Sequence, residues 1–141
     1  MKNDINIHYI KNILEQHNIK PSIQRLKIYK FIYGNTSHPT VDDIYKHLHE
    51  EIPSLSKTTI YNTLKLFHKN KLVSAITIEE NEVRYDYNTT PHAHFKCIKC
   101  GKILDLEINL ENLNIDNIDG NKILEKQLYF TGICKECLSK K

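Results

Sequence analysis

Pro91-His92-Ala93-His94-Phe95-Lys96-Cys97-Ile98-Lys99-Cys100-Gly101-Lys102-Ile103-Leu104-Asp105 gathers two imidazoles, two thiols and a carboxylate around one glycine turn. A second thiol pair, Cys134-Lys135-Glu136-Cys137, follows after thirty-three intervening residues. Two pairs of this spacing suit one tetrahedral ion gripped from two sides, which makes Cys97, Cys100, Cys134 and Cys137 candidate ligands of a structural Zn²⁺. Buried free thiols or a redox dithiol are the competing readings. His92 and His94 alternate, so on an extended strand they point the same way and could share a second ion with Asp105.

Outward from that stretch, 141 residues fit one medium domain or two small ones, and neither half of a divided chain would easily bury a sufficient core. A metal staple would help the smaller half. With 40% hydrophobic and 26% charged residues, four Gly and four Pro, the composition is that of an ordinary soluble globular protein. The start, Met1 to His8, lacks the apolar core of a signal peptide, and no apolar run approaches membrane-spanning length. The expectation is a cytoplasmic protein, where paired cysteines more often bind metal than form disulfides. Residues 1–80 hold eleven Lys and Arg against eight Asp and Glu, whereas residues 81–141 hold nine of each. The small basic excess of the first part is compatible with a nucleic-acid partner but equally with a solvated face.

Periodicity predicts a first helix over residues 4–17, with Ile10, Ile13, Leu14 and His17 on one face and Pro21 as its stop. Ser22 caps a second helix that buries Leu26, Tyr29, Ile32 and Tyr33 and ends at Gly34, leaving Arg25, Lys27 and Lys30 near solvent. Thr40 caps a third, with Asp42 and Asp43 complementing its dipole and Val41, Ile44, Tyr45 and Leu48 inward. Ser56 caps a fourth, to about Lys69, burying Ile60, Leu64 and Phe67. On its other face Thr58, Tyr61, Asn62, Lys65 and Lys69 form a stripe of hydrogen-bonding and cationic groups suited to a DNA major groove, although a solvated helix reads the same way. The β-rich runs Leu72–Glu79 and Glu82–Tyr87, joined by Glu80-Asn81, turn the helices into a winged helix-turn-helix. Asn88-Thr89-Thr90-Pro91 reads as a hinge, dividing residues 1–88 from 89–141. Beyond it the pattern predicts strands near His92–Lys96 and Lys102–Leu106, a helical or turn-rich stretch from Leu110 to Asp119, a strand over Ile123–Phe130, and the second cysteine knuckle.

Taken singly, His38, Asp86 and Asp105 read as loop or surface residues. As a set, His38, Asp86, His92, His94 and Asp105 make a hard nitrogen and oxygen site suited to Fe²⁺ or Mn²⁺. His38-Pro39-Thr40, Ser56 to Asn62, Arg84-Tyr85-Asp86, His92 to Lys102 and Gly132 to Cys137 together resemble the ferric uptake regulator family, and within it the peroxide-sensing branch. The resemblance implies a metal-dependent, homodimeric transcriptional repressor of α+β class. Its parts would be an N-terminal winged helix-turn-helix domain and a C-terminal α/β dimerisation domain with the four-cysteine zinc site. It further implies no enzyme, operator DNA as partner, and hydrogen peroxide as signal, with Fe²⁺-dependent addition of oxygen at His38 and His92. DNA contact is expected from Arg25, Lys57, Thr58, Thr59, Tyr61, Asn62 and Lys65. The alternatives are an iron- or manganese-responsive repressor indifferent to peroxide, a small metal-dependent enzyme, and a thiol redox sensor.

Overall fold

The computed structural model describes residues 6–79, 81–90, 92–107 and 115–140. Residues 4 and 5 of the expected first helix, Glu80 of the hairpin joint, Pro91 of the hinge and residues 110–114 of the helical or turn-rich stretch lie outside the described residues. The chain forms two compact units, Met1–Thr89 and Thr90–Lys141.

The first unit contains α1 (Ile7–Gln16), α2 (Ile23–Ile32), α3 (Val41–Leu48), α4 (Lys57–Lys69) and a hairpin of β1 (Ser74–Ile76) and β2 (Arg84–Asp86). Side-chain caps start the helices. The Asn6 carboxamide, Ser22 hydroxyl and Ser56 hydroxyl accept from His8, Arg25 and Thr59 amides respectively. At α3 the cap is reciprocal: Thr40 Oγ1 accepts from the Asp43 amide at 3.1 Å, and Asp43 Oδ2 accepts from the Thr40 amide at 3.0 Å. Asp43 therefore serves as a specific cap partner as well as a dipole complement.

Pro21 is not what stops α1. The helix ends earlier because Asn18 turns left-handed at φ 60°, so that the Ile19 amide returns to the Leu14 carbonyl at 2.9 Å and both side chains are buried. The same device closes α4. Lys71 sits at φ 62° and the Leu72 amide reaches the Phe67 carbonyl at 2.9 Å, with Phe67 and Leu72 buried. The core is built from the inward stripes, including Ile10, Leu14, Ile28, Ile32, Ile44, Ile60, Leu64 and Phe67. Ile28, absent from the expected stripe of α2, is fully buried, while Leu26 and Tyr33 pack only partly against this core. The hairpin strands are shorter than their β-rich runs, pairing Ser74 with Asp86, Ala75 with Tyr85 and Ile76 with Arg84.

In the second unit, β3 (Ala93–Cys97) is the middle strand of a sheet ordered β4-β3-β7, with β4 (Ile103–Leu106) antiparallel and β7 (Leu128–Gly132) parallel to it. The strand expected over Ile123–Phe130 is displaced. Its first part follows a separate hairpin of β5 (Asn117–Ile118) and β6 (Asn121–Lys122), where the Ile123 amide donates to the Asp116 carbonyl at 2.9 Å. That hairpin turns at Asp119-Gly120, both at positive φ, the backbone a two-residue turn requires. A short helix the pattern did not predict, α5 (Lys135–Ser139), starts at the second knuckle. Among the described residues the buried apolar positions of this unit are Ala93, Cys97 and Cys134, too few to hold it by burial alone.

Lys71→Gly should raise stability in chemical denaturation by about 0.5 kcal/mol. A left-handed L-residue costs about 1–2 kcal/mol, against about 0.5–1 kcal/mol of added chain entropy for glycine.

Candidate metal centres

The sheet explains why the two cysteine pairs meet. Parallel pairing places Cys97 at the end of β3 opposite Gly132 at the end of β7, and the Ile98 amide extends the ladder to the Gly132 carbonyl at 2.8 Å. Cys134 lies two residues on, so both knuckles leave the sheet at one edge. In the first, Gly101 at φ 77° folds its amide back to the Cys97 carbonyl at 2.9 Å.

The four sulfurs lie within 4.8 Å of one another. Corners of a tetrahedron with metal–sulfur bonds of about 2.3 Å are about 3.8 Å apart. The Cys97–Cys137 and Cys100–Cys134 sulfur pairs are each 3.8 Å apart, two opposite edges of such a figure and far beyond a disulfide bond. The donor set therefore fits a zinc-type ion. Amides of Cys100 and Cys134 point at Cys97 Sγ from 3.5 and 3.4 Å, and they draw its thiol down to about 6. Hydrogen bonding with Cys134, then burial, pushes Cys137 up to about 12. Lys102 Nζ pairs with Glu136 Oε1 at 3.0 Å, tying the first knuckle to α5.

A second set of donors occurs in two parts. In the C-terminal unit, cross-strand register sets His94 opposite Asp105, and the period of two brings His92 to the same face. His92 Nε2 and His94 Nε2 lie 3.3 and 3.2 Å from Asp105 Oδ1, with the two rings 4.4 Å apart. His92 Nδ1 is 2.6 Å from the Thr90 carbonyl, which sets the ring's orientation. In the N-terminal unit, His38 Nε2 lies 3.6 Å from Asp86 Oδ2. Only 2% of His38 and 1% of Asp86 are exposed, so Asp86 does not belong to the solvated face that alternation with Val83 and Tyr85 would suggest. Adjacent donors around an octahedral first-row ion with bonds of about 2.1 Å lie about 3 Å apart, close to these separations.

Two residues that spacing does not single out, Arg84 and Glu79, hold the His38 loop. Arg84 Nη1 donates to the His38 carbonyl at 3.1 Å and Nε to Glu79 Oε1 at 2.5 Å, while the Tyr85 amide donates to the Pro39 carbonyl at 2.9 Å. An arginine in a short strand reads from sequence as an outward charge, and only its reach across 46 residues reveals this function.

On α4, Thr58, Tyr61, Asn62, Lys65 and Lys69 are all exposed. Lys65 Nζ lies 5.6 Å from the centre of the Tyr61 ring. Thr59 is half-buried, its hydroxyl accepting from Ser56 Oγ at 3.0 Å. Lys57 pairs with Asp42 at 2.9 Å, which holds the Asp42 carboxyl below its usual range and Lys57 above. Arg25 Nη1 donates to the Lys20 carbonyl at 2.8 Å, and Arg25, Ser22, Thr59 and Asn62 line a shallow cleft between α2 and α4.

The sequence profile of the ferric uptake regulator family matches residues 16–131. The peroxide operon regulator of Bacillus subtilis (strain 168) is 34% identical over 140 residues, covering 94% of this chain and 96% of that one. The solved structure of PerR from Streptococcus pyogenes, described as a basis for peroxide sensing and gene regulation, is 27% identical with a TM-score of 0.52. That match covers 93% of this chain and 92% of that one. The ferric uptake regulator Fur of Helicobacter pylori, 20% identical, shares the fold with a TM-score of 0.72 over 97% of each chain. No helix among the described residues is long and apolar enough to cross a membrane.

Zinc affinity of the four-cysteine cluster should fall as pH falls, because the raised Cys137 thiol must lose its proton to ligate. Zinc titrations in buffers of differing ionisation enthalpy should show proton release on loading at neutral pH. Cys97→Ser should lose zinc and the C-terminal fold while the helical signal of the first unit persists.

Proposed function

Because the chain belongs to the ferric uptake regulator family of transcription regulators, we propose that it is a metal-dependent dimeric repressor that senses peroxide at a site completed by both of its units. The observation that carries this reading is the pair of His–Asp clusters, one in each unit, each short of the six donors an octahedral ion takes. His38 and Asp86 supply two donors, and His92, His94 and Asp105 supply three. Five protein ligands leave one position open, and a peroxide-sensing site needs such an opening. The 34% identity with the peroxide operon regulator, along nearly the whole length of both chains, supports the peroxide branch over one sensing metal alone.

Asp86 and Asp105 repel when brought together without a cation, and neutralising both charges at once draws the two units together across Thr89-Thr90. In a twofold dimer this closure sets the separation of the two α4 helices, which must be about 34 Å, one DNA turn, or a multiple of it to meet a palindromic operator. Thr58, Tyr61 and Asn62 then address base edges. Lys57, Lys65 and Arg25 neutralise phosphates, with Thr59 supporting the start of α4. Lys57 exchanges an exposed ion pair with Asp42, worth little in water, for a phosphate.

When bound, Fe²⁺ supplies the redox chemistry by which peroxide gives one oxygen atom to an imidazole carbon of His38 or His92 and leaves as water. An oxidised ring is a poorer donor, so the two units part and the operator is released. Mn²⁺ in the same donors would support repression without that chemistry.

His38→Ala should keep its zinc and its dimer but lose metal-dependent operator binding in fluorescence anisotropy; unchanged binding would contradict the proposal. Mass spectrometry of the Fe²⁺ form after dilute peroxide should find a one-oxygen gain at His38 or His92, and none in the Mn²⁺ form. No gain with iron would favour a repressor that responds to metal alone.

A further inference from the structure

His38 occupies a backbone conformation that its sequence disfavours. Its φ of 55° is left-handed, uncommon for any residue but glycine, and Pro39 restricts it further. Such a conformation persists only where the surroundings over-determine it. Here the surroundings are specific. The Arg84 guanidinium spans two acceptors, the His38 carbonyl at 3.1 Å and Glu79 Oε1 at 2.5 Å, while the Tyr85 amide holds the Pro39 carbonyl at 2.9 Å. Arg84 and Asp86 belong to the same short strand, so the fork that fixes the His38 backbone also fixes it against the carboxylate its ring faces at 3.6 Å. Both partners of the Arg84–Glu79 pair are largely shielded, at 23% and 20% side-chain exposure, so water competes weakly for the guanidinium.

We propose that Arg84, aimed by Glu79, is a positioning residue that sets the affinity of the His38–Asp86 pair for a divalent cation by holding His38 in its left-handed conformation. The inference rests on the reading that His38 and Asp86 are ligands. Arg84 needs no contact with the ion. Its planar fork meets a carboxylate and a carbonyl at fixed angles, which the single ammonium of lysine cannot reproduce. Relaxation of His38 toward ordinary backbone angles would swing the imidazole off Asp86, and the ion would have to restore that geometry at a cost in affinity.

The test is Mn²⁺ affinity of the zinc-loaded full chain, measured by the paramagnetic signal of free Mn²⁺, in wild type, Arg84→Met, Arg84→Lys, Glu79→Gln and His38→Ala. Arg84→Met should weaken binding by about 10- to 100-fold, the range for partners that orient a ligand. Arg84→Lys should fall between it and wild type, and Glu79→Gln should shift the same way. Zinc content and the thermal midpoint without Mn²⁺ should stay near wild type, while the rise in midpoint that Mn²⁺ confers should shrink. Glu79→Gln keeps the arginine in place and decides the matter if Arg84→Met does not fold. Wild-type affinity in Arg84→Met, or in Glu79→Gln where Arg84→Met is unfolded, overturns the inference. So does a loss of affinity matched by an equal loss of Mn²⁺-free stability. If His38→Ala weakens Mn²⁺ binding and these variants do not, the ligand assignment stands and the clamp fails; if His38→Ala binds Mn²⁺ like wild type, both fail.

Discussion

Parallel pairing of β3 with β7, in the register that sets Cys97 opposite Gly132, is the constraint on which the C-terminal unit depends. It brings two cysteine pairs from distant parts of the chain to one edge of a small sheet, where an ion can do what the sparse apolar core cannot. The same strand carries His94 toward its other end, and β4, paired across it, carries Asp105 opposite. One strand thus links a closed sulfur cage to an open set of nitrogen and oxygen donors. Fixing β3 at the cage fixes the spacing of the imidazoles of His92 and His94 against Asp105.

The N-terminal unit solves a different problem. Its helices bury a continuous core, and two left-handed helix ends, at Asn18 and Lys71, turn the chain sharply while keeping apolar residues on both sides of each turn inside. The hairpin after α4 is short, and the residues of its second strand also reach beyond it. Arg84 and Tyr85 grip the loop before α3, and Asp86 is drawn inside beside His38. Strand β2 therefore serves the His38–Asp86 pair as well as the hairpin, and α4, which buries Ile60, Leu64 and Phe67 in the core, is left with an exposed polar stripe.

Much of this was legible in the sequence because its signals are local. Ser22, Thr40 and Ser56 announce their helices by hydroxyls that accept from the first turn, and the buried stripes follow the helical period. Alternation alone places His92 and His94 on one face. The losses occur where a distant partner decides. Ile123-Leu124 looks like strand, yet a two-residue turn at Asp119-Gly120 claims its neighbours for a separate hairpin, leaving Leu124 86% exposed and β7 to begin at Leu128. The burial of Asp86 contradicts its own alternation because a histidine far back in the chain faces it. The bond from Arg84 to the His38 carbonyl and the left-handed turn of His38 were invisible for the same reason, since neither composition nor period records a hydrogen bond across 46 residues.

The proposed repressor requires one cation to draw donors from both units at once. Pulsed electron–nuclear double resonance on the Mn²⁺-loaded, zinc-containing protein, with histidine labelled in its ring nitrogens, tests this most directly. Nitrogen couplings to a single Mn²⁺ should diminish when His38 is replaced by alanine and diminish again when His94 is also replaced. Couplings untouched by the His38 replacement would confine the ion to the C-terminal unit, and the two units would have to be joined by some other means.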